Sequence, residues 1–407
     1  MKKTVLRNYA RLIAKVGANV QKDQEVIIFA GLDQPEFVKM LTEECYKLGA
    51  GKVRVEWSYD ALEKVHARYQ KQRVLSRTEE WEKAKLQHMV DVLPVRIFLE
   101  SEDPDGLNGI HKRYFKAVQA RAAVRKPYRD AIDNKHQWCI AAVPGVAWAK
   151  KLYPTRSKRQ AVEQLWRDIL FTARADSDDP IAVWQAHNAD LKRRCAYLNG
   201  LGLTKLCYRA ANGTDFSVGL MPRGRFHAGA DTTLQGVVFN PNMPTEEVFT
   251  SPDRRTAQGI VYATKPLSFQ GNLIEDFSVR FEAGRVVEVK AEKGQSVLEY
   301  IASMDEASHY LGECALVPKE SPINRSGLLF YSTLFDENAA CHLALGDGFP
   351  ECVEGFEDLS REELYELGLN SSINHTDFMI GAEDMDIDGV TEDGRVVPIF
   401  RNGTWAF

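Results

Sequence analysis

Residues 25–57 read EVIIFAGLDQPEFVKMLTEECYKLGAGKVRVEW, and the fold of the first half of the chain turns on them. Glu25–Ala30 (EVIIFA) is a short, largely aliphatic run of the kind that forms a buried strand. From Pro35 to Leu48 the apolar residues Phe37, Met40, Leu41 and Cys45 recur every three or four positions, which places them on one face of a helix. Gly49 and Gly51 bracket the end of that helix, where left-handed backbone favours glycine. Lys52–Trp57 (KVRVEW) is the next strand. Strand, helix and strand in this succession imply a parallel α/β layer. Upstream, Leu6, Tyr9, Leu12, Ile13 and Val16 lie at helical spacing. Downstream, Val95–Glu100 and Trp138–Val143 supply two further strands. No GxGxxG follows the first strand, so nothing signals a dinucleotide site.

The texture then changes. Tyr153–Phe171 and Pro180–Leu198 carry amphipathic helical patterns, and the second stops at Gly200. Beyond Thr204, short strands alternate with turns of Gly, Asn, Asp and Pro, and Phe277–Ala291 reads as a hairpin with a central Ala-Gly-Arg turn. The expected organisation is an N-terminal α/β domain with a parallel sheet over residues 1–200. A β-rich α+β domain follows over residues 201–407.

Composition narrows the function classes. A hydrophobic fraction of 44% and a charged fraction of 27% describe an ordinary globular chain with sizeable cores. A net charge of −5 lacks the basic face that nucleic-acid binding requires. No window approaches the roughly 18 apolar residues of a membrane-spanning helix. The opening MKKTVLRNYARLIAKVGANV is broken by Arg7, Asn8, Arg11 and Lys15 and has no small-residue cleavage site, so it does not read as a signal peptide. The cysteines Cys45, Cys139, Cys195, Cys207, Cys314, Cys341 and Cys352 are odd in number, scattered and without a CxxC. Reduced thiols in a cytoplasmic protein are the expectation, rather than disulfides or a thiolate zinc site.

The polar residues in apolar company all lie in the second half. Glu246 and Glu247 sit in NMPTEEVFTSP, where adjacent carboxylates beside Val248 and Phe249 are costly unless protonated, paired or metal-bound. A plainer alternative has Thr245 capping a helical turn whose positive end the glutamates favour. Glu313 sits in YLGECALVP, either buried and partnered or facing water from a strand. His342, in LFDENAACHLALG, is surrounded by small apolar residues and reads as an inward-facing imidazole, a ligand or a core histidine bonded to a carbonyl. His375 and Asp377, in NHTDFMIG, are two apart and share one face of an extended strand. They can hold one metal together, bond to each other, or reflect simple surface alternation. Taken together, two histidines and at least three carboxylates fit zinc, cobalt or manganese, with donors enough for two ions. A pair of ions activates a bridging water and polarises a carbonyl or phosphoryl oxygen. GxSxG, Walker A and HExxH are all missing, so the serine-hydrolase, P-loop and common zincin readings have no motif support. Cys341 beside His342 is a weak nucleophile candidate, because sequence neighbours in a strand point to opposite faces.

These four segments, in this order, resemble the signature segments of the aminopeptidase T family, the dinuclear metallo-aminopeptidases. WCIAAVPGVAWAKKLYP, NGTDFSVGL and the opening YARLIAKVGANVQKDQEVIIF resemble further segments of the same family, so the likeness covers nearly the whole chain. It implies a metal-bearing C-terminal domain, a homodimer, and removal of N-terminal residues from peptides with two divalent ions per chain. Carried over residue by residue, the ligands are Glu247, Glu313, His342, His375 and Asp377. Glu246 is the expected general base, with Glu313 serving as ligand and base in the alternative. One position departs from the family: Phe349 stands where a tyrosine is usual, and phenylalanine neither coordinates nor donates a hydrogen bond. That departure supports a rival reading, an altered or non-catalytic metal- or peptide-binding member of the same scaffold. The full ligand set argues against it.

Overall fold

The computed structural model describes every residue except 102, 111 and 112. It divides into two compact units, Met1–Gln185 with Ala230–Pro244, and Ala186–Gly229 with Thr245–Phe407.

The first unit is built on a five-stranded parallel sheet. Its strands are β1 (Glu25–Gly31), β2 (Lys52–Ser58), β3 (Val95–Glu100), β4 (Trp138–Ala142) and the short β5 (Asn242–Met243), in spatial order β2-β1-β3-β4-β5. The chain reverses direction across the sheet between β1 and β3, the doubly wound arrangement. Val26, Ile27 and Ile28 are completely buried, as a strand inside a parallel sheet requires. Helix α1 (Lys3–Leu12) and helix α2 (Pro35–Lys47) follow the predicted spacing. Tyr9 of α1 and Phe37 of α2 bring their rings to 5.5 Å, and Phe37 lies 5.3 Å from Trp166. The helix expected from Tyr153 starts only at Lys158. Ser157 sets the start: its hydroxyl accepts from the Gln160 N–H, while the Gln160 side chain returns to the Ser157 N–H, a capping box. Four helices between β2 and β4 have no counterpart in the sequence reading: Ala61–Tyr69, Gln72–Leu75, Glu80–Val92 and Arg113–Ile132. The longest buries only Ala117 and Ile132, so it has no apolar stripe to reveal it.

The second unit is β-rich and antiparallel. One sheet runs from the strand at 272–282 through those at 258–262, 215–219 and 203–209 to the C-terminal strands at 386–391, 396–401 and 404–405. The expected hairpin is present, with Asn272–Glu282 paired to Arg285–Lys293. Its turn residues Ala283 and Gly284 both have positive φ, 47° and 85°, as the tight hairpin turn demands. A smaller four-stranded sheet orders β6 (Val248–Thr250), β7 (Leu311–Leu316), β8 (His342–Gly346) and β9 (His375–Met379) side by side. Every residue of β7 and β8 is buried, so this sheet is covered on both faces. Val248, Cys314, Leu316, Leu343, Leu345 and Phe378 enter the apolar core that also holds Phe216, Phe281 and Phe400. The other face carries the polar residues. Among the described residues, no helix is long and apolar enough to cross a membrane.

Candidate metal centre

Strand register brings the predicted residues together. His342 and Ala344 alternate on one face of β8, and His375 and Asp377 on one face of β9. Ala344 pairs with Glu313 on one side and Asp377 on the other, while His342 pairs with Ala315 and Met379. A bulge between Leu311 and Glu313 shifts the register. It aims Glu313 to the polar face while Leu311 stays in the core, a common use of a bulge next to a site. Gly312 permits this: a Cβ there would come within 1.9 Å of the Asp347 carbonyl oxygen. Ala315 and Ala344 are small, which leaves the volume above them to the longer polar side chains around them. Glu247 enters from the residue preceding β6.

The resulting cluster is tight. His342 Nε2 lies 3.1 Å from Glu247 Oε2, and His375 Nε2 lies 3.3 Å from both Glu313 Oε2 and Asp377 Oδ1. Ligand atoms of Glu247, Glu313 and His342 fall within 4.8 Å of one another, and so do those of Glu313, His375 and Asp377. Glu313 belongs to both groups. Each imidazole is oriented through its other nitrogen. His342 Nδ1 is 3.1 Å from the Ala340 carbonyl, and His375 Nδ1 is 2.8 Å from the Asp347 carbonyl. Carbonyls accept only, so both Nδ1 atoms carry the proton and both Nε2 atoms face the carboxylates, the usual outer support of a metal ligand. For His342, the carbonyl-bonded core histidine and the inward ligand are therefore the same residue.

Charge is crowded here. Burial, with Glu247 and Asp377 nearby, pushes the Glu313 carboxyl up to about 7 against the pull of His375. Burial pulls His342 down, but its bond to Glu247 and the surrounding carboxylates lift it to about 10. His375 is likewise held well above the usual imidazole range by Asp377 and Glu313, despite burial. Asp377 is lowered by His375 although burial opposes this. The carboxylates outnumber the imidazoles, and buried Asp377 Oδ1 accepts no hydrogen bond of good geometry. An excess of oxygen donors with an unsatisfied buried oxygen, beside two correctly oriented imidazoles, is a donor set that fits divalent cations.

The sequence reading missed one member. Glu337 opens a short 3-10 turn, Glu337–Ala339, and its carboxyl is raised well above the usual range by burial and by Asp377, Glu247 and Glu313. Asn338 Nδ2 donates to its Oε1 at 3.2 Å. The signal was in LFDENAACHLALG, where Glu337 stands five residues before His342, but no strand or helix period links the two.

Glu246 is buried, and its backbone N–H donates to Asn338 Oδ1 at 2.7 Å. It falls outside both ligand groups among the described residues. Thr245–Glu247 is irregular backbone leading into β6, so the alternative of a capped helical turn does not hold. Phe349 places its ring 5.0 Å from that of His375. Cys341 points into the apolar core, its Sγ bonded to the Val317 backbone and its thiol pushed up to about 12 by burial, which removes it as a nucleophile.

The chain is 42% identical to aminopeptidase AmpS of Bacillus subtilis over 99% of its own length and 98% of that protein's. It is 39% identical to aminopeptidase T of Thermus thermophilus, covering 98% of both. The solved structure of wild-type AmpT from Thermus thermophilus superposes with a TM-score of 0.91 at 37% identity, covering 100% of both chains. The model of the M29 family, the thermophilic metalloproteases, matches residues 2–405, and the chain belongs to that family.

Proposed function

We propose that this protein is a metallo-aminopeptidase that removes N-terminal residues from peptides at the cluster on β7, β8 and β9. The observation that carries the reading is the position of Glu313, shared by two groups of ligand atoms. A carboxylate has two oxygens and can serve two neighbouring cations, so Glu247 and His342 would hold one ion and His375 and Asp377 the other. Two divalent ions, zinc, cobalt or manganese, supply a polarised scissile carbonyl and a water of lowered proton affinity when bound.

The remaining chemistry falls to the chain's own residues. A general base must accept the water proton, and Glu246 is the candidate, with Glu313 as its alternative. Glu337 joins them, since its carboxyl feels the same cluster. A carboxylate left free of metal binds the substrate's free amine, which restricts cleavage to chain ends. Ala340 and Asp347 hold the imidazoles through their carbonyls, so neither ring needs to reorient during turnover.

We further propose a cytoplasmic enzyme working as a homodimer. All seven cysteines are free, in keeping with a reducing compartment, and the dimer follows from the family resemblance. Phe349 beside His375 favours the second reading, an altered or non-catalytic peptide-binding member. Elemental analysis of metal-loaded protein, with turnover of a panel of amino-acid anilides, separates the two. Bound metal with turnover supports the peptidase; bound metal with no turnover supports the second reading.

A further inference from the structure

We propose that the second unit holds a ligand site separate from the metal cluster, a cavity at Lys265 that takes a small carboxylate with a short apolar tail. The inference stands on its own and does not depend on the aminopeptidase reading.

The cavity has a volume of about 290 Å³ and is half-open to solvent. Cys341, Met385 and Phe400, all buried, make its floor. Lys265, Lys319 and Asn324, all half-buried, stand at its rim. None of Glu247, Glu313, His342, His375 and Asp377 lines it. Cys341 adjoins His342 in the chain, but its side chain points the other way, into the apolar core, so the floor belongs to the face of the sheet turned away from the cluster.

Lys265 is the group that calls for a ligand. Burial holds its ammonium below the ordinary lysine range, against the pull of Asp336 and Glu383. Its hydrogen-bond partner among the described residues is the neutral Asn324 Oδ1, at 2.9 Å. Asp336 is already engaged: its carboxylate accepts from the Phe330 and Ser332 N–H groups at 2.7 and 3.1 Å. An ammonium has three protons to donate. A cation stripped of part of its water and given one neutral partner gains from an incoming carboxylate, because a charge-assisted bond replaces the lost hydration.

The rim is arranged to admit one. Asn324 is fixed at both ends of its amide, its Nδ2 donating to the Lys319 carbonyl at 2.8 Å, and the Lys319 N–H donates to the Gly403 carbonyl at 2.9 Å. The Lys319 ammonium meets the Glu383 carboxylate only at 3.4 Å, and the Glu383 side chain is 79% exposed. That pair is loose, so a ligand carboxylate can take the glutamate's place. Behind the charge, the floor of thiol, thioether and phenyl groups buries a short hydrocarbon chain and would desolvate a second charge. The cavity therefore selects a monocarboxylate over a diacid.

Calorimetry on the zinc-loaded protein tests this with isocaproate, isohexanol and acetate. Isocaproate should bind about ten-fold or more tighter than isohexanol, which has the tail without the charge, and than acetate, which has the charge without the tail. Lys265→Met keeps the stem and removes the charge, so it should weaken isocaproate by about ten-fold or more. Lys265→Arg should restore part of the affinity, which guards against a misfolded variant. Ala382→Leu, on the cavity wall, should block the tail with the charge intact. L-Leucine, which is isocaproate with an α-ammonium, identifies the source of the ligand. If Lys265→Met costs leucine as much affinity as isocaproate, the site takes free amino acids; if it costs leucine nothing, the site takes simple acids. Reading each affinity against Lys265→Met separates this site from carboxylate held at the metals. Isocaproate that binds Lys265→Met and Ala382→Leu as tightly as the wild type, or that gives no heat of binding, overturns the site and leaves the peptidase reading standing.

Discussion

Glu313 and Asp377 stand on either side of Ala344 in one cross-strand row, each paired with it from a different neighbouring strand. The methyl group between them is too small to fill the space above the sheet, so the two carboxylates and His375 converge over it. Three strands distant in sequence thereby build one polar cluster on an otherwise apolar sheet.

Because Glu313 serves both ligand groups, Glu313→Ala should break both at once. Elemental analysis is expected to show loss of all bound metal, and excess zinc should not restore turnover. Glu247→Gln replaces an anionic ligand by a weaker neutral one in a single group, so metal affinity should fall while excess metal recovers part of the rate. Partial rescue of Glu313→Ala would remove its shared role.

A general base fails differently from a ligand. Glu246→Gln keeps its shape but accepts no proton, so kcat should fall about 10²–10⁴-fold with metal content unchanged and KM little affected. Glu337→Gln is the paired measurement. Wild-type kcat in Glu246→Gln with a large loss in Glu337→Gln would move the role to Glu337.

Gly312 links the bulge to His375. Its missing Cβ leaves room for the Asp347 carbonyl, which accepts from His375 Nδ1. Gly312→Ala should displace that carbonyl and weaken metal binding by about 10–100-fold, as loss of an outer-shell partner does. Competition against a fluorescent chelator would read the change, and unaltered affinity would show that the strand shifts without cost.

The first unit carries a pH-dependent element of its own. His136 is buried, with Arg96 Nε donating to its Nε2 at 2.7 Å and its Nδ1 donating to the Ile132 carbonyl at 3.0 Å. Burial, with Arg96 beside it, lowers its pKa from 6.5 to about 4. A depressed pKa means that its contribution to stability is complete above pH 6.5 and is lost as pH falls through about 4. The loss should be on the order of 3 kcal/mol. Urea midpoints measured across this range should fall more steeply in the wild type than in His136→Gln, and parallel profiles would refute the assignment.

Much of the parallel sheet was readable because β1 is a continuous aliphatic run, β2 and β3 are rich in β-branched residues, and α2 has an apolar face. The helix Arg113–Ile132 was not, because a helix that buries two of its residues leaves no period in the sequence. At the site, the pairing of His375 with Asp377 was readable from strand alternation, as was the opposite orientation of Cys341 and His342. Glu337 was not, since it approaches through a turn with no fixed period.

Residue type, alternation and the order of four segments were enough to name candidate ligands and the class of chemistry, because those properties are local and survive in any fold that keeps the strands. The tertiary structure decided that Glu313 is shared by two groups of potential ligand atoms, that Glu337 joins the cluster, and that Phe349 flanks its exposed side. These depend on cross-strand register, on the bulge at Gly312 and on burial, which bring together charges and rings tens of residues apart, and Coulomb and packing energies follow distance in space rather than distance along the chain.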